Sequence, residues 1–209
     1  RTAQVVASFV ALWAAAIAAL AALAGSASTP VDMAWFFTKA ALVTFGGAYA
    51  VLPYVVQGAV ERYGWLTAVQ MIDGLALGET TPGPLIMVVA FVGFVGGWTH
   101  AGAADPALAA IAGACVATLF TFLPSFLFIL AGAPIVEATH GDIRVTGPLT
   151  GITAAVVGVI ASLAVYFGGH VLWPAGLVVS APWRGLDPFA VAVMAAAAIA
   201  LFRLKAGII

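Results

Sequence analysis

Apolar residues fall into six long blocks along the chain, at about 3–24, 34–60, 68–98, 107–131, 148–168 and 187–206. A helix that spans a bilayer needs roughly 20 mostly apolar residues, so each block is long enough to be a membrane segment. The stretches between them, 25–30, 62–64, 99–106, 134–147 and 168–188, carry glycine, proline and charge, the chemistry of turns. Two blocks depart from the pattern because helix-breaking residues interrupt them near the middle. The second contains TFGGAYAVLP at 44–53, with Gly46, Gly47 and Pro53, and the third contains ETTPGP at 79–84, with Pro82, Gly83 and Pro84. The predicted fold is therefore all-α and polytopic, with six hydrophobic blocks of which two are broken or re-entrant. Broken backbone at membrane depth leaves N–H and C=O groups without helical partners, at several kcal/mol per group unless protein, water or a ligand meets them. Such breaks mark cavities more often than lipid-facing surface.

Composition fixes the surroundings. Of 209 residues, 64% are hydrophobic and 7% charged, and the mean hydropathy is +1.17; soluble domains carry about 25% charged residues. The net charge of −1 and the lack of a basic patch give no sign of a nucleic-acid partner. No zinc spacing, P-loop or dinucleotide fingerprint is present, so no metal or cofactor is expected. Cys115 stands alone in an apolar run and is expected to pack as a small residue. The opening run, 3–24, lacks the processing pattern of a cleaved leader, and the chain, which starts at Arg1, reads as a piece of a longer polypeptide. If all six blocks cross, Arg1, Arg62, Arg144, Arg203 and Lys205 share one side and Arg184 lies on the other, which places both termini in the cytoplasm. Re-entry of the third block alone divides the cations three against three, and re-entry of both broken blocks divides them four against two. Six crossings fit the count best.

Within the blocks three ionisable side chains lie away from the block edges or beside a break: Lys39, Asp73 and Glu79. Lys39 reads either as an anchor reaching for the interface or as a substrate ligand, and Asp73, one turn after Gln70, as a polar rim or a proton carrier. Glu79 ends a half-helix, where the dipole disfavours a carboxylate, so it either accepts N–H bonds from the next turn or carries a proton during transport. After it, Thr80 or Thr81 is expected to cap a second half-helix running from Pro82 to Trp98, with proline at its first position. Such an N-terminus, with two hydroxyls beside it, favours an oxyanion. Gly46 and Gly47 offer a matching release in the second block, while Gly93 and Gly97 form a small-xxx-small pattern suited to close helix packing.

Other residues select no substrate. His100, His140 and His170 fall in or beside linkers without metal-ligand spacing, and Trp35, Trp65, Trp98, Trp173 and Trp183 lie near block ends as an interfacial belt. Pro124 is expected to kink the fourth block, with Ser125 meeting a freed carbonyl.

Five segments together carry a family resemblance: FTKAALVTFGGAYAVLPYV at 37–55, GWLT at 64–67, DGLALGETTPGPLIMVVAFVGF at 73–94, TFLPSFLFILAGAP at 121–134 and ITAAVVGVI at 152–160. They resemble the chromate ion transporter family, and specifically the carboxy-terminal half of its long, two-domain members. The resemblance implies two homologous halves in opposite orientations, expulsion of chromate across the bacterial inner membrane, and proton coupling. It assigns 1–30 as a linking transmembrane helix and 31–209 as the half-domain, whose partner is the homologous other half or a dimer mate. By the same likeness Gly46 and Gly47 match the FGG motif, and Thr80, Thr81, Pro82, Gly83 and Pro84 the TPGP-type motif. Two broken helices, the threonine hydroxyls and Lys39 are then expected at one substrate cavity, with Glu79 or Asp73 as proton carrier. A carrier for sulfate or another tetrahedral anion, or a membrane subunit that only completes another protein, are the alternatives; no nucleophile and base converge as an enzyme requires.

Overall fold

A computed structural model describes residues 2–44, 48–81, 86–100, 102, 105–138, 143–176 and 183–203. All regular elements among the described residues are helical: α1 (Thr2–Ala24), α2 (Thr29–Val43), α3 (Ala48–Val56) continuing into a π-helical turn (Gln57–Arg62), α4 (Ala68–Thr80), α5 (Ile86–His100), α6 (Pro106–Ala138), α7 (Ile143–Leu172) and α8 (Pro188–Phe202). The chain forms two compact units, residues 1–160 and 161–209.

In the first unit the broken blocks fold back on themselves. The arms α2, α4 and α5 have 15, 13 and 15 residues, or about 20–23 Å at 1.5 Å per residue, which falls short of a hydrocarbon core about 30 Å thick. In the third block Gly74 of α4 lies against the Phe91 ring of α5, and Thr99 Oγ1 donates to the Trp65 carbonyl at 3.0 Å. Positions at the two ends of the block therefore lie side by side. In the second block Gly58 lies under the Phe36 ring, which stacks on Tyr54 with centroids 5.1 Å apart. Both blocks are helical hairpins whose ends lie together, the form that the charge count favours less than crossings. Hydropathy registers how much apolar chain is available but not whether it continues or returns, and the return is fixed by glycines that let an aromatic ring sit against the opposite arm.

The open ends of the hairpins meet at one rim. Thr29 Oγ1 donates to the His100 carbonyl at 3.0 Å, and Met33 and Trp65 both lie on Gly96. Trp65 is only 3% exposed, packed on Tyr63, Phe36 and Phe37, so it belongs to the core and not to an aromatic belt. The second hairpin begins with a capping box: Gln70 N–H donates to Thr67 Oγ1 at 3.2 Å while Thr67 N–H donates to Gln70 Oε1 at 2.9 Å. Gln70 thus serves to start a helix, a role that the polar-rim reading misses.

The 33-residue α6 is the axial support. Gly93 and Gly97 of α5 rest on the backbone of Gly113 and Ala109 of α6, and Gly113 rests on Gly93 in return. The small-xxx-small pattern thus does what its spacing implies, because without a hydrophobic force between helices in lipid, contact of this closeness supplies the attraction. The outer face of α6 carries Cys115, which is exposed and not a packing residue as its sequence context implies. Helix α1 has no buried residue but is tied to α2 by Trp13, whose indole N–H donates to Thr38 Oγ1 at 2.9 Å and whose ring meets Trp35 edge-on. In the second unit Asp187 N–H donates to the Leu172 carbonyl at 2.8 Å, and its carboxylate caps α8 by accepting from Phe189 N–H at 2.9 Å.

Candidate functional site

At the tip of each hairpin the first arm is closed by threonine. Helix α2 ends before Thr44, whose backbone is extended (φ −76°, ψ 94°) and whose hydroxyl donates to the Ala40 carbonyl at 2.6 Å. Helix α4 ends the same way: Thr81 is extended (φ −85°, ψ 123°), its hydroxyl donates to the Leu77 carbonyl at 2.6 Å, and the Thr80 hydroxyl donates to the Ala76 carbonyl at 2.8 Å. A threonine hydroxyl reaches the carbonyl four residues back, so it can satisfy one of the acceptors that a helix end leaves open. In an apolar surrounding that acceptor would otherwise be costly. Thr80 and Thr81 therefore end the first arm of the hairpin; the N-cap expected of them for a half-helix starting at Pro82 falls on residues outside the described ones. Their hydroxyl protons are committed to the chain, leaving oxygen lone pairs toward the break. Gly46, Gly47, Pro82, Gly83 and Pro84 lie outside the described residues.

The arms restart close to one another. A cavity of about 120 Å³ is lined by Thr44, by Val51 and Leu52 of α3, by Ile86 at the start of α5, and by Thr121 and Ser125 of α6. It thus joins the end of one broken arm to the beginning of another. Thr121 donates to the Ala117 carbonyl at 2.7 Å and Ser125 to the Thr121 carbonyl at 3.0 Å. Pro124 has no N–H to offer the Phe120 carbonyl four residues back, whereas Ser125 bonds the carbonyl after that one, so the expected repair is displaced by one residue. Thr121 and Ser125 belong to the cavity although the sequence alone gives them no ligand role; a pair of hydroxyl residues four apart in an apolar helix, flanking a proline, is the available signal.

The ionisable candidates are not gathered there. Asp73 and Glu79 are exposed on α4, and Lys39, also exposed, lines two other cavities. One of these, about 440 Å³, also contains Glu61 and Arg62, which the block boundaries assign to a linker edge. Among the described residues no cluster of His, Cys, Asp and Glu is arranged to hold a metal ion.

Membrane-spanning helices around paired discontinuous hairpins, with hydroxyls at the break, define an architecture of the kind used by secondary carriers. Three helices, Thr2–Ala24, Pro106–Ala133 and Ala154–Leu172, are long and apolar enough to cross a bilayer, and the protein is a multi-pass membrane protein. The chain belongs to the chromate transporter family, whose pattern it matches over residues 31–209. It is 36% identical to the chromate transport protein of Pseudomonas aeruginosa over 204 residues, 91% of this chain and 46% of that one. It is 34% identical to the chromate transport protein of Cupriavidus metallidurans over 125 residues, 60% of this chain and 28% of the other. An uncharacterized transporter of Bacillus subtilis, YwrA, is 31% identical over 131 residues, 62% of this chain and 63% of that protein. The chain thus spans less than half the length of the curated chromate transport proteins it matches. No solved structure matches it significantly.

Proposed function

We propose that this chain is one half of an oxyanion carrier that expels chromate across the bacterial inner membrane, completed by a homologous half or a second copy. The carrying observation is the pair of threonine-closed breaks, one of which shares a cavity with the restart of the other hairpin. The N-terminal turns of α3 and α5 concentrate partial positive charge and N–H groups at such a place, which suits a tetrahedral dianion. Since the threonine protons are bonded back to the arms, the donors in this reading belong to Gly46, Gly47 and Gly83, with Pro82 and Pro84 in the same motif. Glu79, close to the end of α4, or Asp73 two turns earlier, takes up a proton as the anion leaves. The names of the relatives support chromate as substrate.

The test is chromate flux into vesicles containing the complete transporter, with and without a pH gradient and with sulfate as competitor. Thr81→Val or Gly83→Leu is expected to abolish flux while membrane insertion is retained; wild-type rates in both would exclude the break as the site. Glu79→Gln should leave flux in place but remove its acceleration by the pH gradient. An undiminished gradient effect there, lost instead in Asp73→Asn, would move the proton role to Asp73.

A further inference from the structure

The larger polar cavity lies along the first hairpin and is distinct from the break. Its lining includes Lys39 from α2 and Tyr54, Gln57, Glu61, Arg62 and Tyr63 from the returning arm, and none of Thr44, Thr121 or Ser125. The π-helical turn creates it. With bonds from each residue to the fifth along, Gln57 stands beneath Glu61 and Arg62, so three polar side chains share the face that Tyr54 begins. Arg62 belongs to the rim, next to Tyr63, over whose ring its guanidinium sits at 5.4 Å. Lys39 stands five residues before Thr44, about 7.5 Å along the helix from the tip. The cavity therefore runs along the hairpin from the rim toward the tip.

Two cations stand in it, and among the described residues neither forms an ion pair. Unpaired charge within a membrane segment is costly unless water or a counter-ion meets it. We propose that this cavity is a second oxyanion site, an antechamber that collects the substrate anion and passes it to the break. Glu61 makes the site workable: two cations alone would hold a dianion tightly, and one carboxylate reduces the net charge so that the anion can leave, as conduction through successive sites requires. The identity of the anion rests on the function proposed above; the location does not.

The experiment follows initial chromate flux against concentration in vesicles with the complete transporter, at two ionic strengths. Lys39→Gln and Arg62→Gln should each raise KM about tenfold, the size expected for one lost charged hydrogen bond, with a smaller effect on kcat. Arg62→Lys should retain most of the affinity, and Glu61→Gln should lower KM. Screening by salt should weaken the wild type more than either neutral variant, which a merely structural role would not produce. Unchanged KM in both neutral variants, even with less folded protein, overturns the antechamber while leaving the break intact. If the wild type moves neither chromate nor sulfate, the oxyanion reading itself fails, and the antechamber with it.

Discussion

The two hairpins share a plan and differ in what holds them. Each closes its first arm with a threonine bonded to the carbonyl four residues back, and each returns along that arm with a glycine against an aromatic ring. The second hairpin is fastened to α6 largely by backbone on backbone at Gly93, Gly97 and Gly113, with the Ala117 methyl group the side chain nearest Gly93. The first also packs on α6, through α2, and its returning arm is held by rings: Phe36 touches Tyr54, Tyr63 and Trp65, and Phe37 is completely buried beside them. Backbone contact has one geometry, whereas rings can tilt and re-stack. The second hairpin therefore meets α6 through a fixed glycine seam on its returning arm and the first through its outgoing arm, and the polar cavity lies along the ring-held return of the first.

The largest expected effect comes from the fixed seam. Gly93→Leu would push a side chain into the Gly113 carbonyl, which has no room to withdraw, so α5 should separate from α6 at a cost of several kcal/mol. Loss of the folded protein from detergent extracts, measured by size-exclusion chromatography, reads this out. Next is Phe36→Ala, which empties the centre of the ring cluster at about 3 kcal/mol; reduced thermal stability in detergent, with α5 and α6 still protected from proteolysis, would show that the hairpins are held separately. A smaller effect is expected from Thr44→Val, which removes one hydroxyl bond worth about 1 kcal/mol. Thermal stability should fall slightly, and by the same amount as in Thr81→Val. A much larger loss at either position would break the equivalence of the two tips.

Much of this architecture is legible in the sequence, and the exceptions have physical causes. Gly46, Gly47, Pro82 and Pro84 announce breaks because neither residue type continues a helix well in apolar surroundings. Gly93 and Gly97 announce a contact by spacing alone. What hydropathy does not encode is direction after a break: the return of α5 along α4 depends on Gly74 meeting Phe91, a pair 17 positions apart that no periodicity links. Thr80 and Thr81 read as caps for the second half-helix because the rules for N-caps and for threonine bonding backwards use the same residue, and the backward bonds appear only in the geometry. Glu61 and Arg62 are not read as cavity residues because they sit where an apolar block runs out, and the π turn that brings them over Gln57 leaves no mark in composition.

The π turn also stores a choice of register. A π-helical segment holds a surplus residue relative to an α-helix, and Gln57–Arg62 holds it between Pro53 and the rim. If the surplus were absorbed and the segment rewound as α-helix, everything beyond it would rotate by about 100° about the axis. Arg62 and Tyr63 would then swing away from the face that Gln57 and Tyr54 keep. One residue of register at this turn thus sets whether the outer cation faces Lys39 or would turn its back on it.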